Sequence, residues 1–410
     1  MPMKEAVSRI STYSADTFGV CSALFELGGM IVIHDPSGCN STYTTHDEPR
    51  WYDRDSLIFI SGVDEMDAIM GNDDKFVRDV VTAARDFSPR FIVLLCTPIP
   101  LMTGTDMPAL ALEIEGQTGI STFAAPTNSM DLYDEGISWA FAMLARHVVR
   151  PGQDAVKDRM ACSWQPVFAS GGSVGKCAAP VKVNIIGMTP LDFAMNGSEL
   201  SIRKVLEAAG MEVISCWAMG STLDDIGWAD QADVNLVVSY GGLAAAQEMA
   251  GRFAQPYVVA VPDGPMLAAA VCKDLKDAAV HKSSVFTCHR RSQAMDSGIV
   301  IVGEVVGSAS LAVALEQVSG GGVRIFCPLH TAEGILTDRD RLIPSEKELR
   351  TALQGAKTVI ADPMYQPICP PASRFIPWGH EAFSGRIYQD SIPNLIDGFD
   401  EFAALVKGED

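Results

Sequence analysis

Two hydrophobic periods alternate along this chain. Short unbroken aliphatic runs at residues 29–33, 57–60, 91–96 and 120–124 have the length and the β-branched content of buried strands. Between them, residues 74–86, 107–115 and 131–149 repeat apolar positions every three to four residues, the period of a helix with one buried face. Strands alternating with helices of this length predict right-handed βαβ units and a parallel sheet. The pattern resumes at residues 181–187 and continues with a helix at 198–209 and a strand at 212–216. A strand at 234–239, a helix at 243–253 and a strand at 257–261 follow. A third block opens with the strand 299–303, which ends in glycine and leads into a helix at 308–318; then come 323–327, a helix at 345–353 and 358–361. The fold class expected is therefore α/β, with doubly wound Rossmann-like domains whose ligands sit at the carboxyl ends of the strands. The boundaries read as a first domain over 1–150, a linker over 151–180, a second domain over 181–295, a third over 296–378, and a C-terminal segment, 379–410, returning to the core. Residues 1–20 hold few periodic apolar positions and read as an extended arm.

Composition narrows the function classes. The chain has 410 residues, 48% apolar and 20% charged, ordinary for a large α/β protein. Its net charge of −20 argues against a nucleic-acid partner. No apolar run reaches the roughly 18 residues of a membrane span, and no basic, signal-like start is present, so a cytoplasmic protein is expected. The run Ser170-Gly171-Gly172-Ser173-Val174-Gly175-Lys176 lacks the first glycine of a phosphate loop, and Cys177 follows the lysine where Ser or Thr is needed. It reads as linker.

Ten cysteines in a chain with no secretory signal point to metal or catalytic use for some of them rather than a disulfide framework. Three stand out. Cys21 opens an apolar, glycine-containing stretch. Cys39 ends the turn His34-Asp35-Pro36-Ser37-Gly38. Cys96 closes the strand Phe91-Ile92-Val93-Leu94-Leu95 and is followed by Thr97-Pro98. Each is expected at the end of an element, beside a turn whose N–H groups can face the sulfur, the usual setting of a cluster ligand. Taken singly, each also reads as a small buried hydrophobe. Cys216 ends a strand and is a spare ligand candidate. Cys162 and Cys177 flank a loop, and Cys272, Cys288, Cys327 and Cys369 have no companion spacing.

The pair Cys21 and Cys39, with the second cysteine in a His-Asp-Pro-Ser-Gly-Cys turn, resembles the nitrogenase component 1 family. So do Asp67-Ala68-Ile69-Met70-Gly71 and the run from Cys96 to Asp106. The resemblance covers essentially the whole chain, with a first segment shorter than in nitrogenase proper. It implies three doubly wound domains with parallel sheets, as in nitrogenase component 1 subunits, around a metal-cofactor cavity. It also implies an iron–sulfur cluster shared at a subunit interface, [8Fe-7S] P-cluster-like or [4Fe-4S], with Cys21, Cys39 and Cys96 as this chain's ligands and Thr127 near it. The implied partners are a homologous α-type subunit carrying the catalytic metallocluster, in a heterotetramer, and an ATP-dependent [4Fe-4S] reductase protein. Two departures matter. Where the family's cofactor-holding subunit has a cysteine, the run Asn235-Leu236-Val237-Val238-Ser239-Tyr240 has Ser239, a poor iron ligand. The family's histidine segment is matched by Trp378-Gly379-His380-Glu381-Ala382-Phe383-Ser384-Gly385, so His380 stands without its cysteine, and a hydrogen-bonded interdomain histidine is the plain alternative. A β-type subunit follows, expected in a nitrogenase-like oxidoreductase of the methylthio-alkane reductase kind, partly because the turn Met188 to Phe193 looks unlike the nitrogen-fixing subunits. A cofactor-assembly scaffold and a tetrapyrrole (nickel-sirohydrochlorin-type) reductive cyclase stay open.

Overall fold

The computed structural model describes residues 9–10, 13–36, 48–51, 53–150, 179–384 and 392–408. Cys39, Cys162, Cys177 and all but the last two residues of the expected linker lie outside them.

Three parallel sheets are built from three successive stretches of chain. In the first, β1 (Met30–His34), β2 (Leu57–Ile60), β3 (Ile92–Cys96) and β4 (Thr122–Ala125) lie in the order β2-β1-β3-β4. The second orders β5 (Val181–Ile186), β6 (Met211–Cys216), β7 (Val234–Val237) and β8 (Tyr257–Val259) as β6-β5-β7-β8. The third places β9 (Asp296–Val302), β10 (Gly322–Cys327), β11 (Arg341–Leu342), β12 (Thr358–Ala361) and β13 (Arg374–Pro377) in the order β11-β10-β9-β12-β13. Every strand pair is parallel. In each sheet the chain starts at an inner strand, winds to one side, then returns to the other; that is the doubly wound topology, with its ligand crevice at the carboxyl ends where the winding reverses. The central strands β1 and β3 are buried at all five positions, as coverage on both faces demands.

Helices cover the faces. In the first unit they are α1 (Asp16–Leu24), α2 (Glu65–Met70), α3 (Asp73–Phe87), α4 (Pro98–Thr103), α5 (Met107–Thr118) and α6 (Tyr133–His147). The second carries α7 (Pro190–Phe193), α8 (Ser198–Ala208), α9 (Leu223–Gly227), α10 (Leu243–Phe253) and α11 (Gly264–His281). The third carries α12 (Val305–Ser319), α13 (Glu346–Ala352), α14 (Glu381–Ser384) and α15 (Leu395–Lys407). Helix α3 shows the logic: Phe76, Val77, Val80, Val81 and Ala84, spaced by one turn, are its buried residues and pack on Met30, Val32, Ile92 and Leu94.

Two features tie the units together. Helix α6 packs on α1 and also on α10 of the second unit. The α1–α6 crossing is a backbone contact: a Cβ on Gly19 would stand 1.9 Å from the Tyr133 carbonyl oxygen, and one on Gly136 1.9 Å from that of Asp16. Arg50 is wholly buried. Its Nε lies 2.6 Å from Glu48, Nη1 reaches Glu26 at 3.1 Å and the Ala218 carbonyl at 2.8 Å, and Nη2 donates to the Ser22 carbonyl at 2.7 Å. One guanidinium thus bonds both the first unit and the second. Helix α15 returns to pack on α11 and α8.

The structure corrects two readings. The arm expected to Gly19–Val20 is helical from Asp16, because Leu24, Val20 and their neighbours are buried all round and leave no period to read. And Cys21, expected at the end of an element, is the sixth of nine residues in α1. Among the described residues no helix is long and apolar enough to cross a membrane.

Candidate functional sites

Parallel strands deliver their last residues to one rim. In the first sheet the β1–β3 register sets His34 opposite Cys96. The Thr97 hydroxyl lies 2.9 Å from the His34 carbonyl and 2.5 Å from the Asp35 carboxylate, so the turn leading toward Cys39 is tied to the residue after Cys96. The His34 imidazole Nδ1 meets the Ser61 hydroxyl at 2.9 Å. Thr127 holds Cys96 by its main chain: the Cys96 N–H donates to Thr127 Oγ1 at 3.0 Å, and that hydroxyl donates back to the Cys96 carbonyl at 3.0 Å. Beside it the Asp16 carboxylate accepts from the N–H groups of Asn128 and Ser129, at 2.7 and 2.8 Å. Burial raises the Cys96 thiol above its ordinary pKa, and a bound metal would reverse that by favouring thiolate.

Cys96 and Thr127 are therefore brought together. Cys21 is not brought to them. It belongs to the core cluster that holds Ile31, Ile33, Val93 and Leu95, whereas Cys96 belongs to the one that holds Met30, Val32, Ile92 and Leu94. Alternate residues of a strand point to opposite faces, so the two sulfurs belong to opposite sides of the sheet. Cys96 stands at the rim, and Cys21 is wholly buried within α1. Among the described residues no group of three or more His, Cys, Asp or Glu side chains is placed to hold a metal ion.

A second site lies where the three sheets meet. His380 is buried and stacked on Phe383, ring centroids 4.2 Å apart. Its N–H donates to Asp362 at 2.8 Å, and its Nε2 lies 3.4 Å from both Asp192 Oδ1 and the Tyr133 hydroxyl. Its Nδ1 is buried without a hydrogen-bond partner among the described residues. His380 lines a cavity of about 50 Å³ with Asp192, Asp263, Glu304 and Trp378. Burial pushes the Glu304 carboxyl up to about 7, with Asp192 adding to the shift, and pushes Asp263 up to about 8. Ser239 does not face this cavity: its hydroxyl donates to the Gly187 carbonyl at 2.8 Å. Cys216 is buried in the core, where desolvation pushes its thiol up to about 12. The acids were not singled out in the sequence, yet a signal exists. Asp263 and Glu304 each follow an apolar strand run within a few residues, the position of a carboxyl-end site residue in a doubly wound sheet.

Near the first rim, α2 and α4 pack together and expose Met66, Ile69, Met70, Leu101 and Met102. Five large apolar side chains on adjoining helices form the kind of patch that marks an interaction surface.

Comparison with known proteins agrees with this architecture. The family model described as "Nitrogenase component 1 type Oxidoreductase" matches residues 17–362. The chain is 23% identical over 235 residues to the nitrogenase molybdenum-iron protein alpha chain of Azospirillum brasilense, covering 55% of this chain and 45% of that one. It is also 23% identical over 232 residues to the nitrogenase iron-molybdenum cofactor biosynthesis protein NifE of Methanosarcina barkeri, covering 55% and 46%. The matched part thus spans about half the length of these relatives. Two solved structures of nitrogenase Cp1, at pH 5 and pH 6.5, share its fold with a TM-score of 0.61 each, at 13% and 12% identity, covering 98% and 99% of this chain and 90% and 91% of theirs. With the family model spanning most of its length and three doubly wound sheets in the same arrangement, the chain belongs to the nitrogenase component 1 type oxidoreductases.

Proposed function

We propose that the chain is the β-type, electron-relaying subunit of a nitrogenase-like reductase and shares an iron–sulfur cluster with a homologous α-type subunit. The observation that carries this reading is Cys96 at the carboxyl tip of an inner strand, its main chain fixed by Thr127, next to an exposed apolar patch. A cluster, when bound, supplies one-electron storage and transfer. The chain's own part is to present thiolates from Cys96 and Cys39 and to hold them still. Cys21 is left as a core residue, so the partner would supply the larger share of the ligands. Met66, Ile69, Met70 and Met102 would bury against an associating protein, the α-type subunit or the ATP-dependent reductase. At the junction of the sheets, Ser239 is committed to a backbone carbonyl and the cavity has room for a few waters at most. That supports placing the catalytic metallocluster in the partner. His380, Asp192, Glu304 and Asp263 would then serve as a structural, proton-sharing joint. For the reaction of the whole complex we put reductive cleavage of a methylthio-alkane C–S bond first, on the compact first segment and the turn at Met188 to Phe193.

Iron and acid-labile sulfide in anaerobically purified complex test the assignment. Wild type is expected to carry both, Cys96→Ala and Cys39→Ala to lose most of the iron, and Cys21→Ala to keep it. Iron-free wild type, or loss of iron on Cys21→Ala alone, overturns it. An assembly scaffold is the second reading, favoured by the similarity to the cofactor biosynthesis protein. Given reductase, ATP and a methylthio-alkane, a reductase subunit supports turnover, whereas a scaffold reduces nothing and releases its cluster to an acceptor.

A further inference from the structure

A cavity beside the first rim, with His34 and Ser61 in its lining, has no part in the reading above. It measures about 480 Å³ and lies in the first unit, beyond the carboxyl ends of β1 and β2, between α2, α3 and α4. That volume is in the range of small-molecule sites, about 300–1,000 Å³. Its inner wall is apolar: Val32, Phe59, Phe76, Val80 and Ala83. Its roof is α2, none of whose residues is buried. A helix that covers a void without burying a side chain in it leaves the space to something else.

Three polar features distinguish the lining from a packing defect. His34 faces the cavity, its ring tilted against that of Phe76 with centroids 4.3 Å apart. Nδ1 is engaged by Ser61, and Nε2 has no hydrogen-bond partner among the described residues. Burial lowers the pKa of this imidazole. With the proton on Nδ1, directed at the Ser61 oxygen, Nε2 presents a lone pair to the cavity. The rim holds three carboxylates, Asp67, Asp73 and Asp79, against the single ammonium of Lys75. Lys75 is already paired with Asp67 at 2.6 Å. Asp73 and Asp79 make no ion pair with a described residue, so the mouth keeps an uncompensated negative field. An anion is repelled by it, and a neutral apolar molecule leaves it unused.

We propose that this cavity binds a primary alkylammonium, its hydrocarbon body among Phe59, Phe76 and Val80 and its cationic head among His34, Asp73 and Asp79. An ammonium N–H donated to Nε2 selects the tautomer that Ser61 accommodates. Aromatic faces beside the head add attraction for a cation. The proposal is independent of the cluster, because none of these residues is a thiol ligand.

Isothermal titration of the purified chain with hexylammonium, with hexanoate and hexanol as matched probes, tests it. Hexylammonium is expected to bind saturably at one site, with hexanoate at least about tenfold weaker and hexanol between them. Asp79→Asn and Asp73→Asn, both at exposed positions, should each weaken hexylammonium by up to about fivefold while leaving hexanol unchanged. Ala83→Phe fills the cavity and should abolish binding of all three, with an unchanged melting temperature showing that the variant folds. Equal binding of the three probes, no saturable heat, or undiminished binding by Ala83→Phe or by the double Asp73→Asn, Asp79→Asn variant overturns the proposal.

Discussion

Thr127 satisfies both main-chain groups of Cys96 with one hydroxyl. Thr127→Val keeps the shape and removes the partner, leaving a buried N–H unpaired. A loss of about 1–3 kcal/mol is expected, read as a lower urea midpoint with an unchanged slope. His330 is the residue whose titration reports on the joint between units. Its Nδ1 lies 2.9 Å from Asp134 and its Nε2 3.0 Å from Glu135, both on α6, while its ring stacks on Tyr240 of the second unit. The hydrogen bond to Asp134, ahead of the opposing effect of burial, raises its pKa. Because the folded value is raised, the stabilisation is complete below the ordinary histidine value of about 6.5 and is lost as pH climbs through the raised value. Melting temperature should therefore fall from pH 6.5 upward, more steeply in wild type than in His330→Gln; equal slopes would refute the assignment. At this scale the sequence was partly readable. Cys96 ends a strand as its sequence indicates, because a strand end is a local property. Cys21 was expected at the end of an element and lies within α1, because its spacing to Cys39 says nothing about where the helix starts and stops. Asp192, Asp263 and Glu304 went unread because only the fold brings residues so far apart in sequence into one cavity.

The helices α1 and α6 meet backbone to backbone at Gly19 and Gly136. On an exposed helix, Gly→Ala gains up to about 1 kcal/mol in helix propensity. At Gly19 the sign should reverse, since the new methyl would stand 1.9 Å from the Tyr133 carbonyl oxygen. Gly19→Ala is expected to lose at least about 1–3 kcal/mol in a denaturant titration, the range for an overpacked core. Element by element, the strands were the legible part: residues 57–60 and 358–361 match β2 and β12, and 243–253 matches α10, because strong runs and clear turn residues bound them. Helix α11 was missed although Leu267, Val271, Leu275 and Ala278 keep a helical period and are buried, behind a proline at its start. Helix α1 carries no such stripe. It is buried on nearly every side, so its sequence shows no contrast between faces.

Taken whole, the molecule is three similar sheets whose separate identities were readable and whose mutual placement was not, since contacts such as Arg50 with Ala218 join residues far apart in the chain. That one side chain has a further consequence. Its donors are divided between Ser22, Glu26 and Glu48 on one side and Ala218 on the other. Opening between the units keeps the pairs with Glu26 and Glu48 inside the first unit but leaves the buried Ala218 carbonyl and one guanidinium N–H without each other, a cost of about 1–3 kcal/mol. The first and second units should accordingly melt as one cooperative body, giving a single calorimetric endotherm. Arg50→Met should leave Glu48 in a dry interior without its cation and lower that single transition, by about 3–5 kcal/mol, without splitting it, since α6 still packs on α10.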